Sequence, residues 1–277
     1  MTLMMQRRQS SASDRAVTDS ASLDEMGSKL KDSLKPMTST SLSQRTLLFR
    51  FVNAVLKRLT RIVCRVDDTQ LSRIPMQGPL IIIANHINFL EVPLLYTHLL
   101  PRSLTGFAKA EYWENPFMRP LFKLWGGIPL KRGAADVQAF RLAIEALEAG
   151  QIVAVAPEGT RSGDGKLQRA HAGAVILALR SDAPILPIAY HGGEHFWRNL
   201  SRLRRTDFHI AVGQTFRLDA GGSKITGQVR QQMADEMMYQ IAALLPPDYR
   251  GAYADLSAAT ETYISFTYEN GHPFEDA

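Results

Sequence analysis

The chain has 277 residues, 45% of them hydrophobic, which suits one domain with a real core plus a tail. Its single cysteine, Cys64, excludes a disulfide framework and a cysteine-based zinc cluster, in keeping with a reducing compartment. A formal net charge of +5 favours anionic partners, and phosphates, nucleic acid and acidic lipid headgroups all qualify.

Residues 1–44 hold ten serines, four threonines and no aromatic residue. That composition offers too little apolar area to offset the entropy of ordering, so the segment reads as a disordered Ser-rich tail. Its start lacks the apolar run and small-residue cleavage pattern of a signal peptide, and no stretch is apolar for the length of a bilayer; neither a signal peptide nor a spanning helix is expected. From Arg45 the texture changes. Leu47, Leu48, Phe51, Val52, Val55, Leu56, Leu59, Ile62 and Val63 recur at spacings of three and four, which predicts a helix over 45–66. Arg45, Arg50, Lys57, Arg58, Arg61 and Arg65 accompany them, with no acidic residue before Asp67. A basic amphipathic helix of this kind either lies in an anionic lipid interface or docks on the domain.

The next segment, 67–249, reads as the catalytic domain. Leu80-Ile81-Ile82-Ile83-Ala84 is too short for a helix and predicts a buried strand. A helix-like stretch begins at Pro93. Further strands are expected at 104–108, 127–130, 152–156, 185–190 and 208–212. The clearest helices are 134–149, with Gly150 as its C-cap, and 229–245, which ends before Pro246-Pro247. Strands alternating with helices predict an α/β fold with a mostly parallel central sheet flanked by helices. Residues 250–277 carry no clear pattern and are expected to be a C-terminal tail.

Three blocks could carry chemistry. Asn85-His86-Ile87-Asn88-Phe89-Leu90-Glu91 follows the buried strand, at the sheet edge where open α/β sheets bind ligands. Glu91 is near enough to accept a hydrogen bond from one imidazole nitrogen of His86, leaving the other free as a general base. Ala156-Pro157-Glu158-Gly159-Thr160-Arg161-Ser162 follows another strand and offers turn N–H groups, a hydroxyl and a guanidinium suited to phosphate; taken alone it also fits a plain turn with a surface arginine. Gly126 to Gly133 is a strand ending in Lys131 and Arg132, which could simply be solvated.

In this order the blocks resemble the glycerol-3-phosphate and lysophosphatidate acyltransferase family, of the PlsC-like kind. The family's histidine and acidic residue, with four residues between them, match His86 and Glu91, with glutamate in place of the usual aspartate. Its glycine-isoleucine strand ending in arginine matches Gly127, Ile128 and Arg132. Its proline-glutamate-glycine-threonine-arginine turn matches Pro157 to Arg161, with Ala156 in place of phenylalanine. Its proline-containing strand matches Pro184 to Ile188, and Ala108 to Glu111 with Asn115-Pro116 is similar to the segment between the first two blocks. The resemblance implies transfer of a fatty acyl group from acyl-CoA or acyl carrier protein to a hydroxyl of a lysophospholipid, 1-acylglycerol-3-phosphate giving phosphatidate, at the cytoplasmic face of a membrane. It assigns His86 as base and Glu91 as its orienting group. It gives the acceptor's phosphate to Arg132, Glu158, Gly159, Thr160 and Arg161, and needs neither a metal nor a cofactor beyond the acyl donor.

Two readings compete. His191-Gly192-Gly193-Glu194-His195 spaces two histidines as a zinc hydrolase does, but its paired glycines oppose the helix that pattern needs. A basic adaptor for membrane or nucleic acid would draw on the 45–65 helix and on Arg198, Arg202, Arg204 and Arg205 beside Phe196 and Trp197. Nucleic acid is not expected as a partner on the acyltransferase reading. No G-x-S-x-G elbow points to a serine hydrolase.

Overall fold

A computed structural model describes residues 39–131 and 136–267, with side chains from residue 47 onward. Two units divide at Arg50 and Phe51. Of residues 1–50, only the helical stretch from Ser39 is described. Apart from the span of the first helix, the structural features described below lie within residues 51–267.

Among the described residues, nine strands form one sheet in the order β1-β7-β6-β2-β5-β3-β4, with β8 and β9 attached beside β6. The strands are β1 Cys64–Asp67, β2 Leu80–Ala84, β3 Leu104–Lys109, β4 Ile128–Leu130, β5 Ile152–Val155, β6 Ile185–His191, β7 Thr206–Val212, β8 Phe216–Leu218 and β9 Ile264–Phe266. β2 lies parallel to both β5 and β6, and Leu80, Ile81, Ile82 and Ile83 are at most 1% exposed. A parallel strand covered on both faces must be apolar at every position, which is why this run shows no alternation. The β6–β7 pairing is antiparallel, as are β6–β8 and β8–β9, so the sheet is mostly parallel with an antiparallel flank.

The helices follow the handedness of the crossovers. α1 Ser39–Val63 precedes the sheet; α2 Glu91–His98 and α3 Met118–Leu124 follow β2 and β3. α4 Val137–Glu148 and α5 Gly173–Ser181 follow β4 and β5, α6 Phe196–Leu200 follows β6, and α7 Gly227–Ala243 follows β8. From β2 the chain moves past β5 to β3, whereas from β5 it moves back past β2 to β6. Right-handed connections running in opposite directions along one sheet lie on opposite faces. The main core accordingly joins Ile81, Ile83, Val153 and Ile185 to α4, α5 and α7. Met233, Met237, Met238 and Ile241 of α7 are fully buried there. At about 1.5–3 kcal/mol for each large side chain taken from water, such a layer is the main source of stability.

α4 begins at Asp136, whose carboxylate accepts from the Ala139 N–H at 3.0 Å, and Gly150 follows its end as expected. The expected start at 134 falls among residues 132–135, outside the described residues, as does Arg132.

Two sequence expectations need correction, and the choice left open for α1 is narrowed. The helix expected over 45–66 ends at Val63, because Cys64–Asp67 pairs with β7 as an edge strand; the sheet therefore starts before residue 67. Along α1 the buried positions are polar: Asn53 and Thr60 are 1% and 7% exposed, and Asn53 Oδ1 accepts from Trp125 Nε1 at 3.1 Å. Phe51, Val55, Leu59 and Ile62 face outward instead. Finally, 250–267 is no loose tail. Glu236 of α7, 1% exposed, accepts from Thr260 Oγ1 at 2.7 Å and from the N–H groups of Thr262 and Tyr263, and β9 pairs with β8. A buried carboxylate demands donors, and this segment supplies them.

Candidate active site

Two loops meet above the C-terminal ends of the neighbouring parallel strands β2 and β5. Asn85, at the end of β2, is buried and clamps β6 with two bonds: Nδ2 donates to the Tyr190 carbonyl at 2.9 Å and Oδ1 accepts from the Tyr190 N–H at 2.7 Å. This fixes where the next residue, His86, leaves the sheet.

Glu91 opens α2. Its Oε1 accepts from the N–H groups of Ile87 at 3.1 Å and Asn88 at 2.9 Å, closing the loop on itself. A carboxylate at this position also suits the positive end of a helix. Its Oε2 is buried, has no hydrogen-bond partner and lies 3.3 Å from His86 Nδ1. One oxygen thus holds the backbone while the other faces the imidazole. A carboxylate at that distance favours the proton on Nδ1, the tautomer that leaves the Nε2 lone pair for chemistry. Glutamate replaces aspartate without loss of reach because its longer arm bends back to its own helix start.

Glu158 stitches the second loop to the first. Its Oε1 accepts from the His86 N–H at 3.0 Å and its Oε2 from the Gln168 N–H at 2.9 Å. The Ser162 N–H donates to the His86 carbonyl at 2.8 Å and the Gly163 N–H to the Ile87 carbonyl at 3.1 Å. Burial pushes the Glu158 carboxyl up to about 7, against the pull of those two backbone donors. Here the expectation that Glu158 holds the acceptor's phosphate is corrected. The residue is 2% exposed, both oxygens are engaged, and a carboxylate repels an anion. It braces the site.

Gly159 and Thr160 are exposed beside it. Gly159 sits at φ +68, a left-handed turn that glycine adopts without strain, and the His171 ring packs so close that a Cβ would lie 3.1 Å from its Cδ2. Arg161 then reaches over His86: its Nε–H donates to His86 Nε2 at 3.4 Å and a terminal nitrogen donates to the Tyr112 hydroxyl at 3.1 Å. The guanidinium therefore occupies the lone pair that a base would use.

The structure thus brings together His86, Glu91, Glu158, Gly159, Thr160 and Arg161. Tyr112 and His171 complete the group and were not read from sequence. Tyr112 enters on a 3-10 turn, Ala110–Trp113, and is oriented by stacking on Phe122 at 5.2 Å; nothing local in the sequence announces it. Asn88, whose Nδ2 donates to the Gly193 carbonyl at 2.7 Å, ties the histidine loop to the end of β6.

The zinc-like motif is pulled apart. Gly192 at φ +88 turns the chain after His191, whose ring stacks on His209 at 4.5 Å. Glu194 accepts from the Tyr249 hydroxyl at 2.7 Å, and residues 193–195 form a 3-10 turn, not a helix face.

A histidine beside a carboxylate, next to an arginine and above a mostly parallel sheet, is an arrangement suited to acyl transfer. Residues 65–191, a little under half of the chain, match the family model described as Acyltransferase. A 1-acyl-sn-glycerol-3-phosphate acyltransferase of Bacillus subtilis is 28% identical over 146 residues, covering 52% of this chain and 72% of that protein. One of Limnanthes alba is 35% identical over 121 residues, 43% of each chain, so less than half of the plant relative's length is matched. The crystal structure of a 1-acyl-sn-glycerophosphate acyltransferase, PlsC, from Thermotoga maritima superposes with a TM-score of 0.52 at 21% identity, covering 79% of this chain and 89% of that one. The last likeness is one of fold.

Proposed function

We propose that this chain transfers a fatty acyl group from an acyl thioester to the free hydroxyl of a lysophospholipid, 1-acylglycerol-3-phosphate giving phosphatidate. The observation that carries it is the His86 ring, with Nδ1 3.3 Å from a Glu91 oxygen and Nε2 against Arg161. An alcohol attacks a thioester slowly until a base removes its proton. In the proposed reaction Nε2 takes the proton, the alcohol oxygen bonds to the thioester carbonyl carbon, and the carbon–sulfur bond breaks. The imidazolium then returns the proton to the departing thiolate, and Glu91 stabilises the imidazolium meanwhile. No acyl-enzyme forms, and the donor is coenzyme A or acyl carrier protein.

Arg161 gives the acceptor its place. A phosphate dianion draws a guanidinium more strongly than a neutral imidazole does, because it adds the attraction of opposite charges and can accept two parallel N–H bonds. Acceptor binding therefore lifts Arg161 from Nε2 and uncovers the base next to the hydroxyl it must deprotonate. Gly159 and Thr160 lie alongside, and Arg132 completes the phosphate group in this reading.

The reaction is placed at a membrane surface carrying anionic lipid. No helix among the described residues is long and apolar enough to cross a membrane. Support for a surface location comes from α1, which exposes Phe51, Val55, Leu59 and Ile62 beside Arg58 and Arg61.

The test is incubation of the full chain with a radiolabelled acyl thioester and a panel of lyso-acceptors. Labelled phosphatidate supports the proposal. Label released only as free fatty acid, or no lipid product from any acceptor, overturns it.

A further inference from the structure

One feature of the molecule is left unused by the catalytic reading. The segment following β6 exposes an apolar ridge: Trp197 is 64% exposed, Leu200 36% and Leu203 96%. Leu203 also has φ +51, the left-handed region that a leucine avoids. Fully exposed and strained, its side chain adds nothing to the core, and a backbone outlier of this kind points toward a function at the surface. Arg198, Arg202 and Arg204 project around the ridge, and residues 195–206 include no acidic residue.

The ridge is joined to two other parts of the molecule. Trp197 packs on Phe89 at 5.5 Å and on Phe196 at 5.1 Å, and Phe89 is itself 38% exposed three residues after His86. On the other side, Arg205 donates to the carbonyls of Arg61 and Cys64, both at 2.7 Å, fastening the segment to the end of α1. The segment thus joins the end of α1 to the catalytic loop at Phe89.

We propose that residues 196–205 are a second lipid-docking element, which seats Trp197 and Leu203 at the headgroup–acyl boundary of an anionic bilayer and so sets the catalytic loop at Phe89 against the membrane. The proposal rests on the membrane-surface reading above. Charge complementarity selects the occupant. Arginines ringing protruding tryptophan and leucine match anionic headgroups above an apolar layer, whereas an acidic protein would engage the arginines and leave Leu203 in water. The arrangement also gives the lyso-acceptor a short route. It leaves the bilayer at the aromatic edge and meets His86 without crossing water.

The test uses the full chain and vesicles of phosphatidylcholine with or without phosphatidylglycerol. Leu203→Asn suits a left-handed residue, so it removes the apolar tip without harming the fold. It should lower flotation with phosphatidylglycerol vesicles by about tenfold. Combined Arg198→Gln, Arg202→Gln and Arg204→Gln should lower it by about 100-fold, and turnover of a water-soluble short-chain acceptor should stay at the wild-type level in both. A parallel variant, Phe51→Ser with Val55→Ser and Leu59→Ser, tests α1 separately. If wild type does not float with anionic vesicles, the surface reading itself falls. If wild type floats, the α1 variant does not, and both loop variants float as wild type does, the present inference alone is overturned. Unchanged flotation with lost turnover of acyl carrier protein thioesters, in the absence of vesicles, would likewise overturn it in favour of protein docking.

Discussion

Replacing Glu91 with glutamine separates the two tasks of that side chain. The amide oxygen can keep the Ile87 and Asn88 N–H groups that Oε1 now accepts, at 3.1 and 2.9 Å, so the loop and the start of α2 should hold. The amide nitrogen then occupies the place of Oε2, 3.3 Å from His86 Nδ1. An NH2 there donates to Nδ1, drives the ring proton to Nε2 and removes the lone pair assigned to the proposed base. It also withdraws the negative charge that stabilises the imidazolium. At 3.3 Å, a charge pair in a partly screened site is worth about 4–5 kcal/mol, and the same acid-to-amide exchange in a serine protease triad costs about 10⁴-fold. Glu91→Gln should therefore lower kcat by about 10³–10⁴-fold with little change in Tm. Single-turnover acyl transfer and thermal unfolding measure the two. A folded variant within tenfold of wild type would refute the orienting role.

Arg161→Ala should raise the KM for a phosphorylated acceptor by about 10–100-fold, the loss of a charged hydrogen-bonding group, and leave the KM for the thioester unchanged. A weakened donor with an unchanged acceptor would reverse the assignment. Glu158→Gln tests the braced carboxyl. Because burial raises its pKa from an ordinary 4.5 to about 7 in the folded chain, the stability it contributes is present below about pH 4.5 and is lost as pH rises through 7. The stability of wild type relative to the glutamine variant should thus fall by about 3 kcal/mol between pH 4.5 and 8, read by denaturant unfolding at each pH. A difference that does not move with pH would show that the two backbone donors, not burial, govern the group.

His86 and Glu91 were legible in the sequence because their relation is local: a buried strand, a short loop and a helix start place them together whatever the rest of the chain does. The central strands were legible for a related reason, since Leu80 to Ala84 is apolar at every position. Glu158 was misread because a turn motif does not say which way its carboxylate points; only the meeting of two loops turns it inward, toward His86 and Gln168. Tyr112 depends on a stacking partner in α3 and leaves no local signal. The face of α1 was equally hidden, because hydrophobic spacing finds the stripe but not what packs on it, and here Asn53 and Thr60 turn inward. β1 and β9 are short edge strands whose pairing partners lie far away in the chain. Glu236 holds the C-terminal segment by the same long-range logic.

The central claim is that the imidazole of His86 draws the proton from an anchored acceptor hydroxyl. The most direct measurement compares wild type with His86→Ala in transfer of a labelled acyl group to 1-acylglycerol-3-phosphate, with circular dichroism to establish folding. A folded variant slower by about 10²–10⁴-fold is the expected result, the usual contribution of a positioned base. Transfer by the folded variant at the wild-type rate would contradict the account.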